Sequence, residues 1–82
     1  MIFKKKFVTF HIDYSDSKLS VTSEKETKKS TISFYNVERY KIVHSTDTSI
    51  LIEFDNRHLY LAHDGVYLHV IYNTDFQQCT KF

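Results

Sequence analysis

Proline and tryptophan are absent from these 82 residues, and glycine, cysteine, alanine and methionine each occur once. A single glycine cannot write a Walker loop or a dinucleotide-binding fingerprint, which need several to bring backbone close to phosphate. The same scarcity excludes the Gly-x-Ser-x-Gly elbow of a hydrolase. Cys79 has no internal partner, and in a chain this small the lack of disulfide staples points to a reducing, cytosolic compartment. No stretch approaches the roughly 20 apolar residues of a membrane helix. After the basic run Lys4-Lys5-Lys6, the segment Phe7 to Tyr14 is broken by Thr9, His11 and Asp13, so no signal-peptide core follows. A soluble protein without a membrane partner is expected.

A charge surplus is also missing. Eleven Lys and Arg against ten Asp and Glu leave a net charge of +1, short of the basic footprint of a dedicated nucleic-acid binder. Weak net repulsion leaves self-association open, so a homodimer is plausible.

Aromatic and β-branched residues are what the chain has in plenty. Six Tyr and seven Phe supply much buried area per residue, which a single domain over residues 1–82 needs near the lower size limit for folding unaided. Val, Ile, Thr, Tyr and Phe recur with period two, and this predicts an all-β fold. Val8, Phe10, Ile12 and Tyr14 form a first strand, Ser15 to Lys18 a turn, and Leu19, Val21 and Ser23 a second strand. Thr22 to Thr31 has no apolar anchor and reads as a long exposed hairpin loop with a mobile tip. Ile32 and Phe34 resume the alternation, Tyr35 to Ile42 loses it, as a helical turn or a bulged corner would, and Tyr40, Ile42 and His44 suggest a fourth short strand.

The last half reads as a three-stranded meander. Asp55-Asn56 or Asn56-Arg57 turns Ile50, Ile52 and Phe54 onto Leu59 and Leu61. Asp64-Gly65 then predicts a type I′ hairpin placing His63 opposite Val66, Leu61 opposite Leu68 and Leu59 opposite Val70. One face is the apolar core candidate, Val66 included. After Asn73, Thr74 or Asp75 could cap a short C-terminal helix, with Phe76 and Phe82 covering an open end of the sheet. The whole is expected to be a small antiparallel sheet curled into a barrel or sandwich. Its strand order with a terminal helix loosely resembles small pleckstrin-homology-like modules, without a diagnostic residue, and no family is assigned.

Function has fewer handles. His58 and His69, with Glu53 nearby, present ligand-type side chains on one face, but their spacing matches no metal motif and His63 falls on the other face. No metal, cofactor or catalytic constellation is assigned, because a triad requires a nucleophile on a sharp turn and an oriented base. A metal-dependent activity through surface His is the weakest alternative. Lys4, Lys5, Lys6, Lys25, Lys28 and Lys29 form a candidate phosphate-binding patch, with Phe3, Phe7 and Phe10 as candidate base-stacking rings. Solvated lysines protecting a strand edge give the plainer reading.

The mixed face of the meander is the stronger feature. Tyr60, Tyr67, His58, His69 and Ile71, beside Leu51, make it too apolar for a purely solvent-facing surface. Either other strands cover it or a partner does. The expectation is a non-enzymatic module binding another protein, or a second copy of itself, through this face. A small accessory or inhibitory protein of a phage or other mobile element would fit, with nucleic-acid binding through the lysines as the alternative.

Overall fold

Alternating side chains become strands when every second one finds a common core. In a computed structural model describing all residues from Met1 to Phe82, the alternation yields β1 (Ile2–Lys4), β2 (Thr9–Ser15), β3 (Lys18–Lys25), β4 (Lys28–Phe34), β5 (Tyr40–Ser45), β6 (Ser49–Phe54), β7 (Arg57–His63), β8 (Tyr67–Tyr72) and β9 (Phe76–Lys81). There is no helix. Strands pair with their sequence neighbours, giving a first antiparallel sheet of four strands, β1 to β4, and a second of five, β5 to β9. The two pack face to face as an open sandwich rather than a closed barrel.

One core fills the gap. The first sheet contributes Phe10, Ile12, Leu19 and Val21, and the second contributes Ile50, Ile52, Phe54, Leu59, Leu61, Leu68 and Val70. Phe34 bridges the sheets, its ring 4.7 Å from Phe54 and 5.0 Å from Tyr72. The ends are tied as well. At one end Lys6 N–H donates to Asp47 O at 2.9 Å, and Lys5 Nζ reaches Thr46 O at 2.6 Å. At the other, Val37 is fully buried, its N–H donates to Ser17 O at 2.8 Å, and Tyr14 Oη donates to its carbonyl at 2.5 Å.

Thr22 to Thr31 is a regular ladder, not a loop: Thr22 pairs Thr31, Glu24 pairs Lys29, and a tight turn at Glu26-Thr27 joins them. Threonine and serine tolerate a solvated sheet face, so lack of apolar residues did not preclude a strand. Tyr35 to Ile42 contains no helical turn. The left-handed Asn36 (φ 60°) turns the chain, Val37 plugs the core, and β5 begins at Tyr40 with a bulge at Val43. The expected C-terminal helix is β9, because Asn73 (φ 48°) and Thr74 (φ 61°) form a type I′ turn that sends the chain back along β8. With that helix gone, the likeness to pleckstrin-homology-like modules loses its support. Phe76 is exposed and covers nothing, whereas Phe82 is buried.

The meander of the second sheet has five strands rather than three. Its Ile50–Leu61 and Ile52–Leu59 pairs are as expected, joined through Asp55-Asn56. The next hairpin is shifted. Gly65 (φ 104°) takes the first central position of the turn and Val66 the second, so His63 faces Leu68 and Leu61 faces Val70. Asp64 causes the shift: its Oδ1 accepts from Val66 N–H at 2.9 Å and Tyr67 N–H at 2.8 Å. A shift by an even step preserves the core face. Val66 alone leaves it, becoming exposed at the hairpin tip.

Candidate functional site

The mixed face survives as an outer surface. Residues alternate across a strand, so once Leu59, Leu61, Leu68 and Val70 point inward, His58, Tyr60, Tyr67, His69 and Ile71 must point out. The first sheet packs on the opposite side, and neither it nor Tyr35 to Ile42 covers them. Tyr60 is directly opposite Leu51 on one side and Ile71 on the other. That row continues to Gln77 on β9. The register expected of a turn at Asp64-Gly65 would have set Tyr60 opposite His69, and the shifted hairpin sets Ala62 there instead.

The row Leu51–Tyr60–Ile71 is half-buried and floors a shallow hollow of about 430 Å³, rimmed by His58, Asn73 and Thr74. Asn73 is fixed there by its Oδ1, which accepts from His58 N–H at 2.7 Å. Polar groups bound the row on both sides. Along one, Glu53 lies 3.3 Å from Lys41 and 3.1 Å from His58. The Lys41 ammonium, with His58 adding a smaller effect, holds the Glu53 carboxyl below its ordinary value. Along the other, His69 Nε2 lies 3.0 Å from Asp64 Oδ2. Tyr67 stands apart, four residues along β8 from Ile71, or roughly 13 Å at the rise of a strand. Its ring packs edge-on to His69, 6.5 Å between centroids. The two tyrosines therefore anchor different parts of the face.

Candidate metal ligands are divided by the same geometry. His58 is engaged with Glu53 and His69 with Asp64, and nowhere do three His, Cys, Asp or Glu side chains converge. His63 lies in the core, as its register requires. Gly65 N–H donates to its Nδ1 at 3.0 Å, so the proton sits on Nε2, which donates to the Phe82 main-chain oxygen at 3.0 Å. Both ring nitrogens are satisfied.

The lysine patch is also divided. One outer row of the first sheet reads Lys4, Thr9, Glu24, Lys29, which brings two of the lysines to one end but puts a carboxylate between them. Glu24 Oε1 lies 3.1 Å from His11 Nε2 and Oε2 lies 3.5 Å from Lys29 Nζ; the His11 contact, then Lys29, keeps its carboxyl below the usual value. Lys25 and Lys28 face each other at the hairpin end on the other side of the sheet. Lys5 and Lys6 lie over the rings of Phe3 and Phe7 at 5.5 and 5.3 Å. The candidate stacking rings face inward: Phe10 is fully buried, and Phe3 and Phe7 pack on the core.

Two features escaped the sequence reading. The Asp64 carboxylate clasp was hidden because Asp-Gly suggests a turn without saying which positions it occupies. A polar hollow lined by Asn36, Glu38, Arg39, Lys41, Glu53 and Asp55 forms where Asp55 Oδ2 accepts from Glu38 N–H at 3.0 Å, a junction between sheets that no local pattern announces. No protein-family model matches the chain, and neither curated proteins nor solved structures contain a match to it.

Proposed function

We propose that this protein is a non-enzymatic binding module, of the kind expected of an accessory or inhibitory protein, whose second sheet docks another protein on its outer face. The observation that carries the reading is the row Leu51–Tyr60–Ile71, apolar and half-exposed at the centre of a face bounded by Glu53, His58, Asp64 and His69. An apolar centre with a polar rim is the usual anatomy of a protein interface. Tyrosine supports it further, offering large contact area at small entropic cost. The charges on this face have both signs and are paired locally, which favours a protein surface over a polyanion.

The test compares the parent with Tyr60→Ala and Ile71→Ala in capture from an extract of the source cells, alongside thermal unfolding. Expected is a discrete protein retained by the parent and lost by both variants, with association weakened by about 2 kcal/mol or more for an anchor residue, and unfolding nearly unchanged. Lost stability without any change in what is captured would overturn the reading. Retention of nucleic acid, abolished by neutralising Lys4, Lys28 and Lys29, would favour the alternative.

A further inference from the structure

A sheet edge presents unpaired N–H and C=O groups that recruit another strand unless something blocks it. Three of the four edges here are blocked. β1 has only three residues and leads into Lys4 to Lys6, β4 opens with Lys28 and Lys29, and β5 carries Lys41 and a bulge at Val43. β9 carries a single lysine, Lys81, at its last position. From Phe76 to Thr80 it is uncharged, without proline or bulge, and all six of its residues are exposed.

The ladder shows which of its backbone groups are free. Phe82 N–H donates to Val66 O at 3.0 Å, continuing the register in which Tyr67 pairs Lys81 and Leu68 pairs Thr80. In an antiparallel ladder these groups alternate in direction. Those of Phe76, Gln78 and Thr80 therefore turn toward β8, and those of Gln77, Cys79 and Lys81 turn outward.

We propose that a second copy of this chain pairs antiparallel with β9 about a two-fold axis at Cys79, joining the two second sheets into one. This register matches outward groups with outward groups along the whole strand. Cys79 meets the partner's Cys79, and Gln77 meets the partner's Lys81, so no like charges are opposed. On the other side of the sheet, Phe76, 45% exposed in one copy, lies opposite the partner's Phe82. Such self-complementarity is what an isologous interface requires and what a foreign strand does not need. The net charge of +1 offers little resistance to approach. This inference does not depend on the outer-face reading, although the joined sheet would set two outer faces side by side.

Sedimentation across a concentration series under reducing conditions, combined with amide hydrogen exchange, tests it. A reversible dimer is expected, with the amides of Gln77, Cys79 and Lys81 gaining protection as concentration rises, while those of Gln78 and Thr80 are protected throughout. Cys79→Pro removes an N–H that the ladder within one copy does not use, and Cys79→Lys opposes two like charges. Both are expected to be monomeric with the parent's circular dichroism, whereas Cys79→Ser should still dimerise, separating strand pairing from thiol chemistry. Should Cys79→Pro fail to fold, Cys79→Lys and the exchange pattern still decide. A parent that stays monomeric at millimolar concentration, or a dimer that survives Cys79→Lys but not Tyr60→Ala, would overturn the proposal.

Discussion

Single side chains in this sandwich show three ways of handling a polar group. His63 is buried with both ring nitrogens bonded, which makes it part of the core rather than a reactive residue. Ser23 is equally buried, yet its hydroxyl has no hydrogen-bond partner. An unsatisfied buried hydroxyl costs about 1 to 3 kcal/mol, so Ser23→Ala should raise the urea midpoint, with a stabilisation of about 1 kcal/mol; a lowered midpoint would contradict it. Asp64 is half-exposed, and its carboxylate accepts from Tyr67 N–H first, then His69 and Val66 N–H, which together hold its carboxyl far below the ordinary carboxylate range. A depressed folded value means that the stabilising contribution is full above the unfolded value of about 3.9 and is lost as pH falls toward the folded one. The stability gap between the parent and Asp64→Ala should thus be constant from neutral pH to about pH 5 and shrink below it. Denaturation curves in which the gap widened in acid would refute that assignment.

The strands were legible in the sequence wherever a core face imposed alternation: Ile50, Ile52, Phe54, Leu59 and Leu61 could be placed because only one face can be buried. The outer position of Tyr60 and Ile71 followed from the same rule. Leu61→Ala and Leu68→Ala should each cost about 2 to 5 kcal/mol, measured by urea unfolding. What stayed illegible had no such constraint. The Thr22 to Thr31 hairpin is polar on its exposed face, and β9 buries none of its residues, so neither carries the apolar period that marks a strand. Turns were readable as turns but not in detail, since the register depends on which residues adopt positive φ. Asp16-Ser17, Asp55-Asn56 and Asn73-Thr74 all do so without glycine. Thr74 is the costliest of these, because a β-branched residue at φ 61° is a steric outlier. Thr74→Gly should therefore stabilise the β8–β9 hairpin, by roughly 1 kcal/mol, and a fall in melting temperature would show that Thr74 makes a compensating contact.

Across the whole molecule, the sheets are linked by one covalent passage, from Phe34 through Val37 to Tyr40, and otherwise by side chains and the main-chain hydrogen bond from Lys6 N–H to Asp47 O. Each sheet exposes its core face if the other leaves, and neither has a second layer to replace it. The contacts that close the interface come from both halves: Phe34 on Phe54 and Tyr72, Tyr14 on Tyr40, Phe7 on His63. Two separately stable sheets are therefore not available, and unfolding should be a single cooperative event. Tyrosine is the natural probe, since tryptophan is absent and Tyr14, Tyr40 and Tyr72 lie at the junction of the sheets. Tyrosine fluorescence should report loss of the junction, and far-ultraviolet circular dichroism loss of the strands. The two urea transitions are expected to coincide in the parent, and to move together in Phe34→Ala, which removes the ring that bridges the sheets and should cost about 3 kcal/mol or more. Fluorescence changing at lower urea than circular dichroism would mean that the sheets part before they unfold, and that each half carries stability of its own.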